Sequence, residues 1–545
     1  MDFRAEIEKL LKKEVGEVKL EVPPNSEMGD FALPCFEFAK TLKKNPVEIA
    51  KDLAKRIKSK YIERIEVKGP YLNFFVNKGI LASETVNEIL KKKEKYGSSG
   101  VGKKEKLLIE HTSINPNASP HVGRARNALI GDSLTRLFRF QDYKVEVHYY
   151  VNDIGKQIAM LVLGAKGKVT FDDLLKIYVK FNQDLKKNPR LEKDVFDLLA
   201  KLENGDKKVR KQFEDIVDIC IKGQIKILGE LGIKYDCFDY ESKYLFNNDT
   251  EKILKAYQKT GRLIKDEAGT ILDLSDYGLE MRNPVLVLTR SDGTSLYSLR
   301  DIAYNIEKLN RAKNNFILLG EDQKLYFQQI KAALDVVGLK APRVLHYSFI
   351  LLQEGKMSTR EGNVVLLEEF MEESKKKALN ELKKRKRADE KTAKIIGYGA
   401  LKYSILKINP DKNVNFDWES ALNFEGDSGP YIQYSHARAC SILEKEKLKG
   451  KADLSLLKEN KEVQLINQLS KFTEIVLEAT NNLKPQVIAV YLNELAKAFN
   501  EFYHDCPVLK AEKEIKNARL ALVDAARQVL KNGLYLLGIE APEKM

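Results

Sequence analysis

The sequence predicts an α/β protein built on a parallel, Rossmann-type sheet, with an α+β module before the sheet and an α-helical bundle after it. Between residues 106 and 352, apolar strand patterns alternate with helical patterns, which is typical of parallel βαβ units. After about residue 375 the strand patterns nearly vanish, and apolar residues recur at helical spacing. A chain of 545 residues is long enough for several domains. We expect them at 1–95, 103–375 and 376–545, with a charged, mostly helical insertion at about 160–280.

The first module combines a helical pattern with short strand patterns. The apolar spacing predicts a helix over Phe3–Lys13, and alternating polarity predicts a strand over Glu17–Val22. A turn at Gly69-Pro70 separates two further strand patterns, Ile65–Val67 and Tyr71–Val76. This mixture predicts a small α+β module.

The middle region supplies the parallel sheet, and the last region supplies the bundle. Strand and helix patterns alternate at Leu107–His111, Val122–Phe140, Val145–Val151, Asn315–Gly320, Leu325–Val337 and Val344–Leu352. The ligands of such sheets bind beyond the carboxyl ends of the strands. Later helical patterns, which predict the bundle, cover Ala393–Leu406, Tyr431–Leu443, Val463–Ala479, Val487–Phe502 and Ala518–Leu537.

The composition excludes several classes of protein. Hydrophobic residues make up 43% and charged residues 32% of the chain, and no apolar run approaches the length of a membrane span. The N-terminus has no apolar core of a signal peptide, and the five cysteines are scattered, so we expect a reducing, cytoplasmic setting. The net charge of +14 favours a polyanionic partner, although solubility or ion pairing at high temperature would also explain it.

Two short motifs carry the chemistry. His121-Val122-Gly123-Arg124 opens a helix directly after a strand, where backbone N–H groups and the helix dipole attract phosphate. Lys356-Met357-Ser358-Thr359-Arg360 lies on a loop after a later strand, and its cations can neutralise charge that develops in a transition state. Gly123 has no side chain, so a flat base can lie directly on the backbone.

This ordered pair resembles the HIGH and KMSKS motifs of class I aminoacyl-tRNA synthetases. Longer stretches are similar to the arginyl-tRNA synthetase family in particular, namely Ser113–Arg124, Asp292–Tyr304, Gly320–Tyr326, Gly355–Asn363, Gly429–Ala439 and Leu537–Met545. The resemblance spans nearly the whole chain. It implies ATP-dependent activation of L-arginine to arginyl-adenylate, followed by transfer to the 3′ end of tRNA(Arg). It also implies that activation requires bound tRNA.

For ATP, the resemblance implies contacts from both motifs. His121 would donate a hydrogen bond to the phosphates, most strongly as charge builds in the transition state. Gly123 and Gly320 would lie against the nucleotide. The loop would add Lys356, Met357 and Ser358, and its flanking glycines would allow it to close. We expect ATP to arrive with Mg2+, and we predict no metal site or prosthetic group of the protein's own.

The chain departs from the family's pattern at two positions. Arg124 stands where HIGH has its second histidine, and Thr359 stands where the fuller loop motif has a second lysine. The cation that stabilises the transition state is therefore Lys356, Arg360 or Arg124, and the sequence does not choose between them.

A guanidinium substrate requires carboxylates in a fork geometry. Tyr297 and Asp301 are four residues apart at the start of a helical pattern, so both can face one pocket. The resemblance implies that Asp301 and Glu241 grip the guanidinium beside Tyr297. The amino and carboxylate ends of the substrate would be held by Asn115 and Gln323. The alternative for Asp301 is an ion pair with Arg300 or a nearby lysine.

By the same resemblance, the N-terminal module contacts the outer corner of the tRNA and the bundle binds the anticodon. Tyr71 and Asn73 would contact an unstacked D-loop base, or else be ordinary strand residues, with Tyr71 half-buried and Asn73 facing solvent. The bundle's candidates for anticodon stacking and phosphate contact are Tyr431, Gln433, Tyr434, His436 and Arg438. Helical spacing requires some of these to be core. We expect a monomer.

Two other readings remain open. The departures at Arg124 and Thr359 are what erosion would produce in a non-catalytic, tRNA-binding paralogue. The third reading is a class I synthetase for another amino acid, but a neutral substrate would leave Asp301 and Glu241 unpaired in the pocket, which is costly.

Overall fold

The computed structural model describes residues 3–267, 269–351, 365–385, 389–448 and 450–545. The N-terminal module contains the helices α1 (Phe3–Val15), α2 (Ala39–Leu42) and α3 (Pro46–Arg56) and the strands β1 (Phe31–Pro34), β2 (Ile62–Lys68) and β3 (Tyr71–Val76). The strands form an antiparallel sheet in the order β1-β3-β2, and α3 packs on it. The helix α4 (Lys78–Lys92) follows and leads to the middle of the chain.

The predicted strand over Glu17–Val22 is wrong. Glu21 makes an isolated bridge to Ala32, and Val22 is 68% exposed. The N–H of Leu20 donates to the Glu8 carboxylate of α1 at 3.0 Å, so the segment is held by a helix side chain. The third strand of the module is β1 instead.

The elements of the middle region follow one another in βαβ order. Its strands are β4 (Lys106–Glu110), β5 (Lys144–Val151), β6 (Cys237–Tyr240), β7 (Leu263–Asp266), β8 (Gly269–Asp273), β9 (Val285–Arg290), β10 (Asn314–Gly320), β11 (Arg343–Tyr347) and β12 (Ile350–Leu351). Its helices are α5 (Val122–Phe140), α6 (Lys156–Gly164), α7 (Phe171–Lys187), α8 (Arg190–Glu203), α9 (Lys207–Glu230), α10 (Ser242–Phe246), α11 (Asp249–Gln258), α12 (Tyr297–Arg311) and α13 (Lys324–Val336). The predicted parallel sheet is confirmed, with the strand order β11-β10-β4-β5-β6.

The insertion at about 160–280 is mostly helical, as predicted, but it also contains strands that were not predicted. The helices α6 to α9 occupy its first half, but β6 then returns to the edge of the main sheet beside β5. A separate antiparallel sheet follows, in the order β7-β8-β9. These strands are short and carry charged residues, so their patterns were hidden in the charged background of the insertion.

The predicted strand over Val344–Leu352 is broken. The chain leaves the main sheet after β11, and β12 pairs in parallel with β13 (Val414–Asn415). At the break, the Ser348 N–H donates to the Pro410 carbonyl at 2.8 Å. The backbone groups there are satisfied by distant segments, which sequence periodicity does not report.

The predicted bundle is confirmed. Its helices are α14 (Leu367–Lys384), α15 (Glu390–Leu406), α16 (Trp418–Ala421), α17 (Gly429–Lys445), α18 (Asn460–Ser470), α19 (Phe472–Asn481), α20 (Pro485–Asp505) and α21 (Lys513–Leu536). The single helix expected over Val463–Ala479 is divided between α18 and α19. At the division, Ser470 Oγ donates to the Asn467 carbonyl at 2.9 Å and competes with the helical backbone.

The bundle packs directly on the sheet domain. Ser133 Oγ, on α5, donates to the Leu536 carbonyl at 2.8 Å, and one hydrophobic core runs through both regions. Lys402, on α15, is buried and donates to the Leu231 carbonyl at 2.7 Å, at the end of α9. Thus α5 is in contact with the sheet and the bundle at once. Among the described residues, no helix is long and apolar enough to cross a membrane.

Candidate active site

The carboxyl ends of the parallel strands meet at one edge of the main sheet. From β4 the chain moves to β5 and β6 on one side, and later to β10 and β11 on the other side. A reversal of this kind opens a crevice beyond the strand ends, here between β4 and β10. The N-termini of α5 and α13 lie at this edge because they follow β4 and β10, and α12 begins there because it runs back to the start of β10.

His121 lies at the N-terminus of α5, beyond the end of β4. Its backbone is extended, with φ −88° and ψ 157°, and the helix begins at the next residue. The ring is partly buried, and among the described residues no group forms a hydrogen bond with its buried Nδ1. Burial, with a smaller contribution from the Arg124 cation, lowers the pKa of His121 to about 4. A neutral imidazole at a helix N-terminus can donate one hydrogen bond to an incoming phosphate.

The other residues expected at the nucleotide lie at the same edge. Gly123 is the second residue of α5 and is partly buried, whereas Arg124 is exposed. Gly320 ends β10, and a Cβ at this position would lie 2.3 Å from Asp322 Oδ1. A side chain at position 320 would therefore collide with Asp322 at the mouth of the crevice, whereas glycine leaves the backbone accessible there.

The second motif lies outside the described residues, and this applies to Lys356, Met357, Ser358 and Arg360 alike. The residues that follow it are fixed beside His121. The Val122 N–H donates to the Val365 carbonyl at 3.0 Å, and the Leu367 N–H donates to the Pro120 carbonyl at 2.8 Å. The segment after the second motif therefore meets the first motif.

Arg126, on the second turn of α5, fixes the segment that precedes the second motif. Its guanidinium donates to the carbonyls of Ser348 at 2.6 Å, Lys412 at 2.6 Å and Asn409 at 2.9 Å. The side chain is fully buried, and this burial lowers the pKa of Arg126 to about 10. One helix thus connects the first motif, the strand that leads to the second motif, and the turn before β13.

A carboxylate pocket lies at the N-terminal end of α12. Asp301 accepts a hydrogen bond of 2.8 Å from the hydroxyl of Tyr326, on α13. The ring of Tyr297 lies 5.3 Å from the Tyr326 ring, and Tyr297 is 58% exposed. Burial raises the pKa of Asp301 to about 7. As expected from their spacing, Tyr297 and Asp301 share one pocket wall.

The ion pairs around Asp301 differ from the expected alternative. Arg300 turns away from Asp301 and donates through Nε to Glu241 Oε1 at 2.8 Å. Lys308 pairs with Glu110. Among the described residues, no cation therefore lies within ion-pair distance of Asp301, and the carboxyl is available to a cationic ligand.

Glu241 follows β6 and is 3% exposed. Its N–H donates to the Val151 carbonyl at 3.0 Å, which fixes it to the end of β5. The negative charge of Glu241 is among the causes that raise the pKa of Asp301, so the two carboxylates lie close enough to repel each other. The arrangement brings together the two acids that sequence similarity associated with a guanidinium.

Asn115 and Gln323 lie on the loops after β4 and β10. Asn115 Nδ2 donates to Gln157 Oε1 at 3.0 Å, and the carbonyl of Asn115 accepts from Gln224 Nε2 at 3.1 Å. Gln323 is exposed and immediately precedes α13. Both amides lie where polar ligand groups would meet the strand ends.

Sequence reasoning missed several pocket residues. Tyr326 and Arg300 lie within the quoted stretches but were given no ligand role. Asp153, just beyond β5, accepts from the Ser242 N–H at 2.8 Å, and burial raises its pKa to about 6. Its position directly after an apolar strand was a signal that could have identified it.

Glu146, His148 and Cys237 form a compact group of potential metal donors on β5 and β6. The two ring nitrogens of His148 face Glu146 at 2.8 Å and Asp239 at 2.5 Å. Lys106 and Arg311 lie beside Glu146, at 3.0 Å and 3.6 Å. These cations already offset the carboxylates, so the group is an ion-pair network that joins the strands.

In the N-terminal module, Tyr71 and Asn73 differ in accessibility. Tyr71 is 37% exposed and packs edge-on against Phe36, with ring centroids 5.9 Å apart. Asn73 is only 4% exposed. The burial of Asn73 contradicts both the alternative in which it faces solvent and the expectation that it contacts a tRNA base. The exposed aromatic surface here consists of Tyr71 and Phe36.

In the bundle, the candidate residues of α17 divide between surface and core. His436 is 1% exposed and forms a hydrogen bond with the Pro542 carbonyl, and Gln433 donates to the Glu540 carbonyl. The expectation that His436 contacts tRNA is thus corrected, since its ring secures the C-terminal segment. The residues that remain partly exposed are Tyr431, Tyr434 and Arg438. The Arg438 guanidinium lies between two rings, 4.7 Å from Tyr434 and 5.0 Å from Tyr503.

Models of known protein families match all three regions of the chain. The family "tRNA synthetases class I (R), catalytic domain" matches residues 85–418. The "DALR anticodon binding domain" matches residues 432–545, and the "Arginyl tRNA synthetase N terminal domain" matches residues 1–76.

Individual proteins match over almost the full length. The arginine–tRNA ligase of Methanocaldococcus jannaschii is 41% identical, with 100% of both chains covered. That of Methanocella arvoryzae is 40% identical, over 94% of this chain and 92% of the relative. The arginyl-tRNA synthetase structure from Thermus thermophilus superposes with a TM-score of 0.85 and 28% identity, covering 99% of this chain and 100% of that one.

Proposed function

We infer the roles of the site residues from one premise: the chain belongs to the arginyl-tRNA synthetase family. Like the enzymes of this family, it is a class I aminoacyl-tRNA synthetase that uses ATP to join arginine to tRNA. The full-length agreement with arginine–tRNA ligases supports neither an eroded paralogue nor a synthetase for another amino acid.

The observation that carries the pocket assignment is a buried carboxyl without a cation. We propose that Asp301 and Glu241 hold the guanidinium of L-arginine, with the paired rings of Tyr297 and Tyr326 beside its aliphatic stem. Asp301 has no cationic partner among the described residues, and its raised pKa reflects the cost of holding an unpaired charge there. A bound guanidinium would relieve that cost.

Asn115 and Gln323 would bind the α-amino and carboxylate groups of arginine. Both lie at the mouth of the crevice between β4 and β10, on either side of its entrance. This orientation would direct the substrate carboxylate toward the N-terminus of α5, where the α-phosphate of ATP must lie for attack.

The nucleotide would bind at the N-terminus of α5. His121 would donate from its neutral ring to the phosphates, and Gly123 and Gly320 would lie against the base and ribose. The carboxylate oxygen of arginine attacks the α-phosphorus, the bond to the bridging oxygen breaks, and pyrophosphate leaves. The ATP would enter as its Mg2+ complex, with the ion held by the phosphates.

The second motif would supply two cations, Lys356 and Arg360, at the phosphates. Lys356, Met357, Ser358 and Arg360 are proposed to act there because the residues that follow them are bonded to Val122 and Pro120, beside His121. Arg124 is a further candidate cation, since it is exposed on the first turn of α5.

The tRNA would extend across all three regions: residues 1–95 at its outer corner, 103–375 at its 3′ end and 376–545 at its anticodon. Tyr71 would stack on an unpaired base, aided by Phe36. In the bundle, the contacts would come from Tyr431, Tyr434 and Arg438. We further propose a cytoplasmic monomer, which agrees with free thiols at all five cysteines and is tested by light scattering.

We also propose that arginine activation requires bound tRNA. The support is that α5, which carries His121, packs on the bundle through Ser133 and on α14 through its N-terminus. A tRNA seated on the bundle would therefore act on the helix that holds the nucleotide site.

The deciding experiment is ATP–pyrophosphate exchange with purified protein, with and without tRNA(Arg). We expect exchange with arginine only when tRNA is present, and none with lysine or glutamine. Full exchange without tRNA would contradict the dependence on tRNA while leaving the arginine pocket intact. No exchange under any condition, despite tight tRNA binding, would make the chain a tRNA-binding relic.

A further inference from the structure

Arg300 places a positive charge in the pocket that is proposed to bind the guanidinium of arginine. Its side chain is 10% exposed, lies on the first turns of α12 and pairs with Glu241 Oε1 at 2.8 Å. The rest of its guanidinium is fixed by Ser295, whose carbonyl and hydroxyl accept from the same nitrogen. Arg300 is thus held through two guanidinium nitrogens, Nε by Glu241 and Nη1 by Ser295, which keeps its positive charge in the pocket.

The pairing leaves Glu241 with one oxygen for a ligand. Oε1 is occupied by Arg300, whereas Oε2 has no hydrogen bond from the described residues. Asp301 likewise has its Oδ2 held by the Tyr326 hydroxyl at 2.8 Å. Each carboxylate is therefore oriented by a protein donor and presents its other oxygen, as a planar guanidinium requires.

Taken together, Glu241, Asp301 and Arg300 leave one negative charge without a partner. Glu241 and Asp301 contribute two negative charges when ionised, and Arg300 returns one positive charge. The other charged groups near Asp301 are the Glu110–Lys308 pair, which is neutral as a unit. Asp153 is a further acid near Glu241 and accepts a hydrogen bond from the Ser242 N–H at 2.8 Å. Burial raises its pKa to about 6, so above that pH it adds negative charge behind Glu241. Tyr150 and Tyr326 are the phenols that face the two acids.

We propose that Arg300 is a specificity-determining, positioning residue of this pocket. It neutralises and orients Glu241, so that of the two acids that would touch the ligand only Asp301 remains uncompensated, and the pocket admits one guanidinium. This inference rests on the proposed arginine site. A neutral isostere of arginine would leave Asp301 unpaired, and a lysine ammonium is too compact to meet Glu241 Oε2 and Asp301 together.

The balance predicts the pH dependence of arginine binding. In the free enzyme Asp301 holds a proton below its pKa of about 7, and a bound guanidinium expels that proton. The arginine KM of the unmodified enzyme should therefore rise below pH 7, by up to about tenfold per pH unit, and be flat above about pH 8.

Removal of Arg300 leaves two unpaired carboxylates that face each other. Like charges raise the pKa of one member of such a pair, so protons compete with arginine up to a higher pH. For Arg300→Met we expect the arginine KM to rise about 30-fold at pH 7 and the defect to shrink at least about tenfold by pH 9. Arg300→Lys restores the charge and should keep the normal pH profile, with a KM increase of about fivefold or less. A defect of equal size at every pH would overturn the proposal, because a merely structural role predicts it.

A second measurement separates charge balance from misfolding. In Glu241→Gln, Arg300 becomes an unpaired cation beside the substrate, and the arginine KM should rise by about 100-fold or more. The double variant Arg300→Met with Glu241→Gln again leaves Asp301 as the one unpaired charge among these three residues. Its arginine KM should therefore be at least about tenfold lower than that of Glu241→Gln alone. A double variant that binds arginine no better than the single one would overturn the proposal.

The matched control is Arg311→Met. Arg311 lies on the same helix but pairs with Glu146 and Asp239, at 3.6 Å and 3.7 Å, away from the pocket. Its loss should leave the arginine KM unchanged at every pH. The unmodified enzyme is measured first by exchange in the presence of tRNA(Arg). If it shows no exchange with arginine, the proposed function fails, whereas normal exchange with a pH-independent Arg300→Met defect rejects only the role of Arg300.

Discussion

The N-termini of α5 and α12 meet the same edge of one parallel sheet, yet they carry opposite chemistry. At α5, burial keeps His121 neutral, with a pKa of about 4, and the neighbouring side chain is the exposed cation Arg124. At α12, burial raises the pKa of Asp301 to about 7, beside a second acid, Glu241. One end suits an anion and the other suits a cation.

The difference shows which physical effect dominates at each end. A helix N-terminus favours negative charge by about 0.3–1 kcal/mol, which would lower the pKa of Asp301. The observed direction is the opposite, so desolvation outweighs the dipole at α12. At α5 the dipole and the burial of His121 act together, because both disfavour an imidazolium. The sheet thus places the proposed phosphate site and the proposed guanidinium site side by side.

The largest expected effect comes from a variant that changes only the N-terminal end of α12, where the cationic substrate group is proposed to bind. Asp301→Asn keeps the size of the side chain but removes the charge that a guanidinium must meet. We expect the arginine KM to rise about 1,000-fold, since a buried charge pair loses one partner, while the ATP KM changes less than about threefold. The measurement is ATP–pyrophosphate exchange with tRNA(Arg) over a range of arginine concentrations.

Tyr326→Phe is the matched control for this variant. It removes only the hydroxyl that donates to Asp301 at 2.8 Å, so the arginine KM should rise less than about tenfold. If Asp301→Asn were no more damaging than Tyr326→Phe, the pocket would not recognise charge, and the contrast between the two helix ends would be lost.

The next largest effect comes from a variant that changes only the N-terminus of α5, where the phosphates are proposed to bind. His121→Gln retains a hydrogen-bond donor but misplaces it, so stabilisation of the transition state is lost. We expect kcat for exchange to fall about 100- to 1,000-fold, with the arginine KM unchanged within about threefold. His504→Gln, at a surface histidine paired with Asp505, is the control and should leave both constants unchanged. A rise in the arginine KM of His121→Gln, with little loss of kcat, would contradict the separation of the two ends.

The residues proposed for each helix end could be selected from the sequence because they lie close together along the chain. His121 and Gly123 follow a buried strand within a dozen residues, and Tyr297 and Asp301 share one helix face. These patterns depend on 3.6-residue periodicity and strand ends, which are visible without tertiary structure. The pairing of Glu241 with Asp301 came from family resemblance, because β6 returns to the main sheet only after four intervening helices.

What the sequence could not predict depends on contacts between distant segments. Arg300 was the alternative partner considered for Asp301, its neighbour in sequence, yet it bonds to Glu241, 59 residues away. At the break in the predicted Val344–Leu352 strand, the Ser348 carbonyl accepts a hydrogen bond from Arg126, more than 200 residues earlier in the chain. Histidine is a residue type that often contacts RNA, but the ring of His436 is covered by the C-terminal segment, with which it forms a hydrogen bond. Polar residues within apolar helices do not reveal their partners, since hydrogen bonding at a distance leaves no periodic signal.

The smallest expected effect is on the free energy of unfolding, to which Asp301 and His121 contribute with opposite pH dependence. The raised pKa of Asp301 means that the folded state holds this proton more tightly than the unfolded state, so stability falls as pH rises from about 4 to about 7. The lowered pKa of His121 has the opposite sign, because the unfolded state then binds the extra proton more tightly. Stability should fall as pH drops from about 6.5 to about 4.

Each neutral variant should therefore stabilise the protein, but on opposite sides of neutrality. Asp301→Asn should raise the free energy of unfolding by about 2 kcal/mol at pH 8, a figure discounted for partial exposure, and should lose this gain near pH 4. His121→Gln should stabilise by a similar amount near pH 4 and by nothing at pH 8. Urea denaturation at the two pH values measures both. Equal effects at both pH values would mean that packing, rather than charge, distinguishes the two helix ends.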